Sequence, residues 1–277
     1  MSLELEPKWC GYLLVDADSV KVGNPRESAL LGVDVKTLDI PHLALAEHED
    51  LDNWLAYFHL LKHTLAYPFE GIASDGDPAI ERVIELISPG TPHQLCGKHF
   101  HDGLHRYLRY QSSHGGGTCR EVQRFEHAAQ RCLYGKSLEE AKRLLTATKI
   151  DPGSHKIHLD NGIQILERDF QRLTQHFLYP GLPRTTNVAE GMIRKQDRRL
   201  DAMDSFASHK TAWNTLKMLT LHTRFRILTD CRYPHKHKNA FSTLQLAGVN
   251  TDDINRIEFS QKSSRPTRMT KTSTTQL

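Results

Sequence analysis

Residues 72–80 read Ile72-Ala-Ser-Asp75-Gly-Asp-Pro-Ala-Ile80. Phe69–Ser74 is a strand candidate, and Asp75 follows it directly. Asp77 fits a helix N-cap. Pro78 fits the first helical position, where its missing N–H has no intrahelical partner to lose. Ile80, Val83, Ile84 and Ile87 then repeat on one helical face, and Pro89-Gly90 ends the helix. Gly76 between the two aspartates fits a sharp turn that leaves Asp75 available and gives Asp77 the capping job. A strand that passes through an acidic turn into a helix predicts a sheet covered by helices.

The N-terminal flank agrees. Gly11–Val15 is a short apolar run with β-favouring residues that ends at Asp16. Ser28–Val35 and Asp39–Leu45 read as two more strands, separated by a polar Lys36-Thr37 turn. Leu51, Trp54, Leu55, Phe58, Leu61 and Leu65 form one stripe of an amphipathic helix that Asp50 or Asp52 could cap. His93–Cys96 is a last strand candidate.

From about residue 98 to 178 the pattern turns all-helical. Val122, Phe125, Ala129 and Cys132 share a face, Ser137-Leu-Glu-Glu140 matches a capping box, and Ile163, Leu166, Phe170, Leu173 and Phe177 continue one stripe. Gly115-Gly116-Gly117 and Asp151-Pro-Gly-Ser154 are the loops between. Tyr179-Pro-Gly-Leu-Pro183 is a stop. Thr185-Thr-Asn187 then leads into a helix through about Leu200. Another helix runs from about Lys210 to Ile227, with Trp213, Leu216, Leu219 and Thr223 on one side. The expected layout is a core in residues 8–97, a helical insertion in 98–180, the core's C-terminal helices in 181–230, and an extension in 231–277 that is disordered from about 260.

The chain has 277 residues, and no stretch approaches the roughly 20 apolar residues of a membrane helix. The acidic N-terminus lacks the apolar centre of a secretory signal. Cys10, Cys96, Cys119, Cys132 and Cys231 form an odd set without a C-x-x-C pair, which predicts a reducing compartment, the cytoplasm, rather than a disulfide scaffold. The net charge of +3 conceals a polarity. Residues 1–97 carry 6 Lys/Arg against 16 Asp/Glu, and the remainder carries 30 against 17. A basic second part suggests a polyanionic partner, while carboxylates gather in the first.

Three acids stand out: Asp16 and Asp75 at the ends of apolar strand candidates, and Glu190 at a helix start. A carboxylate ending a buried strand must meet solvent, a cation or donors. Like charges on adjacent strand ends call for a divalent cation, and a third carboxylate would complete an oxygen-rich site for two metal ions. Asp18 shares a strand face with Asp16, so either could be the ligand. Asn187-Val-Ala-Glu190 also resembles a capping box in which Glu190 reaches back to the backbone.

Taken together, these segments resemble the DDE transposases. Leu13-Leu-Val-Asp16-Ala-Asp-Ser-Val-Lys-Val-Gly23 is similar to their first-aspartate strand, and Ile72–Ile80 to their second-aspartate segment. His93-Gln-Leu-Cys96-Gly-Lys-His99 resembles the C-x-x-H signature of Mutator-like transposases and related bacterial insertion-sequence enzymes. Pro183-Arg-Thr-Thr-Asn187-Val-Ala-Glu190-Gly resembles the final-glutamate segment. The likeness spans roughly residues 11–228. It implies an α/β, RNase H-like mixed sheet flanked by helices, with an all-α insertion between the second Asp and the final Glu. It implies Asp16, Asp75 and Glu190 as catalytic, metal-binding residues that hold two Mg²⁺ or Mn²⁺ ions for DNA cleavage and strand transfer. Ala17-Asp18 stands where the family often has Gly-Thr, and the N-terminal DNA-binding module usual in the family is not seen ahead of Asp16. DNA (element ends and target) and further copies of the chain are the implied partners. No organic cofactor and no membrane enter, and the implied location is the nucleoid in the cytoplasm. A truncated copy that only binds DNA, and a plain nuclease of the same fold, are the rival expectations.

Cys96, His99, His101 and His105 gather soft and borderline ligands, so Zn²⁺ is the second ion the sequence leaves open. On the helix from Asn187, Glu190, Arg194 and Asp197 fall at i, i+4 and i+7, and Arg184, Lys195, Arg198 and Arg199 add cations nearby. Such spacing suits contacts to a phosphodiester backbone, and equally a solvated face with a Glu190–Arg194 pair.

Overall fold

The computed structural model describes residues 2–23, 26–113, 120–150, 157–200, 203–233, 235–255 and 259. It is a mixed α/β chain. The strands β1 (Tyr12–Lys21), β2 (Arg26–Asp34), β3 (Leu43–Ala46), β4 (Gly71–Ser74) and β5 (His93–Leu95) are ordered β3-β2-β1-β4-β5 in one mixed sheet. Two compact units emerge. One comprises Met1–Ile72, Asp77–Thr91 and Thr186–Leu277, the other Ala73–Gly76 and Pro92–Thr185.

In the first unit β1, β2 and β3 form an antiparallel meander. Its two faces differ because successive side chains alternate. Leu13, Val15 and Ala17 of β1, with Leu30 of β2, join Trp54, Tyr57, Phe58 and Leu61 and then Ile80, Val83 and Ile84 in one apolar cluster. The aromatic residues come from α2 (Leu51–His59) and the π-helical turn Leu60–Thr64 behind it; the three aliphatic ones come from α3 (Pro78–Ile87). Asp50 caps α2 by accepting from the Asn53 N–H at 2.9 Å. Asp77 caps α3 by accepting from the Ala79 N–H at 2.7 Å, with Pro78 in the first turn. Gly32 has no room for a side chain, since a Cβ there would meet the Tyr57 hydroxyl at 2.7 Å.

The other face of the meander carries the cross-strand pairs Leu14–Val33, Asp16–Leu31, Asp18–Ala29 and Val20–Glu27. Helix α9 (Asn187–Leu200) packs on β1 and β2, and α10 (His209–Phe225) packs on β3. The His209 Nδ1 meets the Glu27 carboxylate at 2.6 Å, which ties α10 to that face.

Three local expectations need correction. The first strand does not end at Asp16. It continues to Lys21, because Ala17, Asp18, Ser19 and Val20 remain in register with β2, so Asp16 lies mid-strand. Asp39 starts no strand. Residues 35–42 form turns and irregular chain, Leu38 has φ +59°, and β3 begins at Leu43. The buried side of α10 is Ala212, Leu216, Thr220, Leu221 and Arg224, while Trp213 and Leu219 are half-buried. The cause is the chain beyond it: Leu244 of α11 (Thr243–Leu246), Val249 and Phe259 close over Leu221 and Phe225.

Asp39 is instead a buried anchor, 0% exposed. The Arg224 guanidinium, 1% exposed, donates to both its oxygens at 2.8 Å. The Trp9 indole N–H and the Thr243 hydroxyl donate to the same carboxylate at 3.0 and 3.2 Å. Two buried charges in hydrogen-bonded contact hold together stretches that are 185 residues apart in sequence.

The second unit is helical after β5. Helices α4 (Gly97–Ser113), α5 (Arg120–Leu133), α6 (Leu138–Ile150) and α7 (Ile157–Leu173) precede the short α8 (Gln175–Leu178). Leu104, Leu108, Val122, Phe125, Ala129, Leu159, Ile163 and Leu166 supply its core. Ser137 caps α6 by accepting from the Glu140 N–H, while the Glu140 carboxylate accepts from the Lys136 N–H, one residue short of a full capping box. Buried Gln94 on β5 donates to the Leu173 carbonyl and accepts from the His176 N–H, which binds the strand to the end of the helical set. Helices α4 to α8 thus lie in sequence between Asp75 and Glu190. The glycine run at 115–117, the loop at 151–154, Cys119 and residues 260–277 lie outside the described residues. Among the described residues, no helix is long and apolar enough to cross a membrane.

Candidate functional site

The candidate carboxylates sit on differently built mounts. In the first unit, Asp16 is half-buried on β1, and its Oδ1 accepts from the Ala17 N–H at 2.9 Å. Asp18 is also half-buried and occupies the same strand face two residues on, so both remain candidates for one role. Glu190 lies in the first turn of α9. Its N–H donates to the Thr186 carbonyl at 3.1 Å, and the buried Thr186 hydroxyl donates to its Oε1 at 3.4 Å. The capping arrangement expected with Asn187 is therefore made one residue earlier, with Thr186. A carboxylate near its own helix N-terminus is also favoured by the helix dipole.

In the second unit, Asp75 follows β4 and is exposed. The turn after it needs the left-handed conformation, and Gly76 adopts φ +94°. This turn is stapled to β5. The Gly76 N–H donates to the buried Ser74 Oγ at 3.2 Å, the Ser74 Oγ bonds the His93 Nε2 at 2.8 Å, and the Cys96 N–H donates to the Ser74 carbonyl at 2.7 Å. Asp75 is thus displayed to solvent by a backbone that cannot drift. Nothing in the sequence singled out Ser74 and His93 for this work; a lone serine and a lone histidine carry no spacing signal.

Burial, and after it the Arg172 guanidinium, lowers the His93 pKa from 6.5 to about 4. The folded chain refuses a proton at His93 until about pH 4, whereas the unfolded chain accepts one near 6.5. Stability therefore falls as pH drops through that window. His93→Gln keeps a hydrogen-bonding partner for Ser74 without titrating, and is expected to flatten part of the fall. Urea midpoints at about pH 7 and about pH 5 measure it. His42 and His176, lowered by burial to about 4, contribute in the same direction and keep the profile from going flat.

Cys96 is fully buried at the end of β5, and His99 is half-buried in the first turn of α4. Cys96, His99 and Glu190 offer a thiol, an imidazole and a carboxylate, donors that could hold a metal ion. His101 and His105 stack along α4 with ring centroids 6.4 Å apart, and the His105 Nδ1 meets the Glu126 carboxylate at 2.7 Å, a tie between α4 and α5.

The candidate cations divide as well. Arg184 is half-buried, with its guanidinium 5.0 Å from the Tyr134 ring centroid and its carbonyl accepting from the Gly97 N–H at 3.0 Å. Arg194, Arg198 and Arg199 are exposed on α9, whereas the side chains of Lys195 and Asp197 lie outside the described residues. Compared with known proteins, the chain matches no family model and no curated sequence.

Proposed function

We propose that this chain is the catalytic domain of a DDE transposase with an RNase H-like fold, which cleaves DNA and joins its freed ends to a target. The reading is carried by where the acids stand: Asp16 on β1, Asp75 straight after β4, which neighbours β1 in the sheet, and Glu190 opening the helix packed on β1. Carboxylate oxygens suit hard cations, so Asp16, Asp75 and Glu190 would hold two Mg²⁺ or Mn²⁺ ions, with Asp18 competing for the place of Asp16. Such ions would activate a water at the scissile phosphodiester and stabilise the leaving 3′ oxygen. Cys96 and His99 are poor Mg²⁺ ligands and suit Zn²⁺, which would act there as a structural ion.

The chain's own residues would do the rest. The Ser74–His93 staple holds the Asp75 turn, and Thr186 orients Glu190 by its hydroxyl. Arg194, Arg198 and Arg199 would neutralise the backbone of the passing strand, as would Lys195 and, where its ring contact permits, Arg184. The polyanion is DNA, the location is the nucleoid in the cytoplasm, and several copies act together on paired ends.

The test incubates the full chain with Mg²⁺ and pre-cleaved duplex ends drawn from the DNA flanking its gene. Joined product supports the transposase. Cutting without joining assigns a plain nuclease of this fold. Binding without either reaction assigns a remnant that only holds DNA.

A further inference from the structure

Within the first unit, the last turns of α9 and α10 border a cleft of about 350 Å³. This is near the low end of small-ligand clefts, ~300–1,000 Å³. Its polar lining is Arg198, Arg199 and His222, with Arg226 just after α10 and Asp230 further on. Three guanidiniums against one carboxylate leave two positive charges in excess. Its apolar lining is Met192 and Leu228, each 8% exposed. Arg198, Arg199 and Arg226 are exposed, while the Arg199 Nη2 approaches the His222 Nε2 at 3.4 Å.

Arginines at helix C-termini also answer the helix dipole, and that alone could account for Arg198 and Arg199. It does not account for a concave site with an apolar wall and a third guanidinium supplied from beyond α10. That combination fits a ligand that is flat and apolar on its faces and anionic at its edge. Guanidinium planes stack on nucleobases and fork onto phosphate oxygens. A base still paired in a duplex cannot enter without leaving its stack.

We propose that this cleft holds an unpaired nucleotide of a single-stranded nucleic acid, its base against Met192 and Leu228 and its phosphates on Arg198, Arg199 and Arg226. The proposal deepens the nucleic-acid reading of α9 and takes from it only the class of ligand.

Fluorescence polarisation in EDTA tests it with the full chain, a labelled oligothymidylate and a blunt duplex of equal length. The wild type is expected to favour the single strand. Joint replacement Arg199→Ala and Arg226→Ala is expected to weaken strand binding about tenfold or more, the scale of one lost base stack, while duplex binding weakens less than about threefold. Arg194→Ala, outside the cleft, should weaken both alike. Both targets are exposed, and an unchanged melting temperature certifies the fold.

Equal losses for strand and duplex would overturn the proposal, since they describe a plain phosphate surface. So would unchanged strand binding in the double variant, no strand binding by the wild type, or displacement of the strand by polyglutamate at equal charge. Because metal is absent, loss of cleavage with strand preference intact sinks the catalytic reading alone. Cleavage without strand preference sinks this proposal alone.

Discussion

Asp75→Ala is expected to lower Mg²⁺-dependent strand cleavage by at least about a thousandfold and to leave the fold unchanged. A metal-bound oxygen stabilises the transition state by several kcal/mol, and each 1.36 kcal/mol is about a factor of ten in rate. The fold should survive because Asp75 is exposed, and its turn is set by Gly76 and the Ser74 hydroxyl rather than by its own side chain. Asp77→Ala is the matched control. It removes the α3 cap, worth about 1 kcal/mol of stability, and should cleave normally. Comparing Asp16→Ala with Asp18→Ala then decides which β1 carboxylate is the first ligand. Cleavage by Asp75→Ala at the parental rate, in a sample with a parental urea midpoint, ends the metal-carboxylate reading.

The largest expected effect on stability belongs to Arg224. Arg224→Ala leaves Asp39 ionised and fully buried, with only Trp9 and Thr243 to answer it. Orphaning one member of such a pair costs about 3–5 kcal/mol, much of the margin of a typical domain. Arg224→Lys should recover little, because one ammonium cannot reproduce the two parallel bonds at 2.8 Å. The double change Asp39→Leu and Arg224→Met should regain much of the loss, since both charges go together. Urea unfolding of the three variants measures this. A single Arg224→Ala within about 1 kcal/mol of the parent would show that the pair is not the anchor its burial implies.

What was legible in the sequence follows from the range of the interactions. Asp77-Pro78 announced the start of α3 because a cap and an N1 proline act within one turn. The helical stripes of α5 and α7 announced themselves because helical period is local, and Val122, Phe125, Ile163 and Leu166 are buried. The end of β1 was misread because Ala17-Asp18-Ser19 looks like a polar stop, whereas pairing with β2 carries the strand through it. Asp39 read as part of a strand because nothing nearby reveals Arg224. The buried side of α10 was turned by residues 244–259, which lie beyond the helix. For the candidate site, the sequence nominated Asp16, Asp75 and Glu190, and it placed the turn at Gly76 correctly. It could not nominate Ser74 and His93, whose joint role exists only once β4 and β5 lie side by side.

The Asp39–Arg224 pair has a consequence for birth on the ribosome. With 185 residues between the partners, and translation running at about 5–20 residues per second, Asp39 waits roughly 10 to 40 seconds for its counterion. Through that interval the β1–β3 meander exists without α9 and α10, its second face bare and one carboxylate kept wet. The nascent first half is therefore the stage at which a chaperone would be needed, and a stalled or shortened transcript ending before Arg224 would yield a sticky, protease-sensitive fragment.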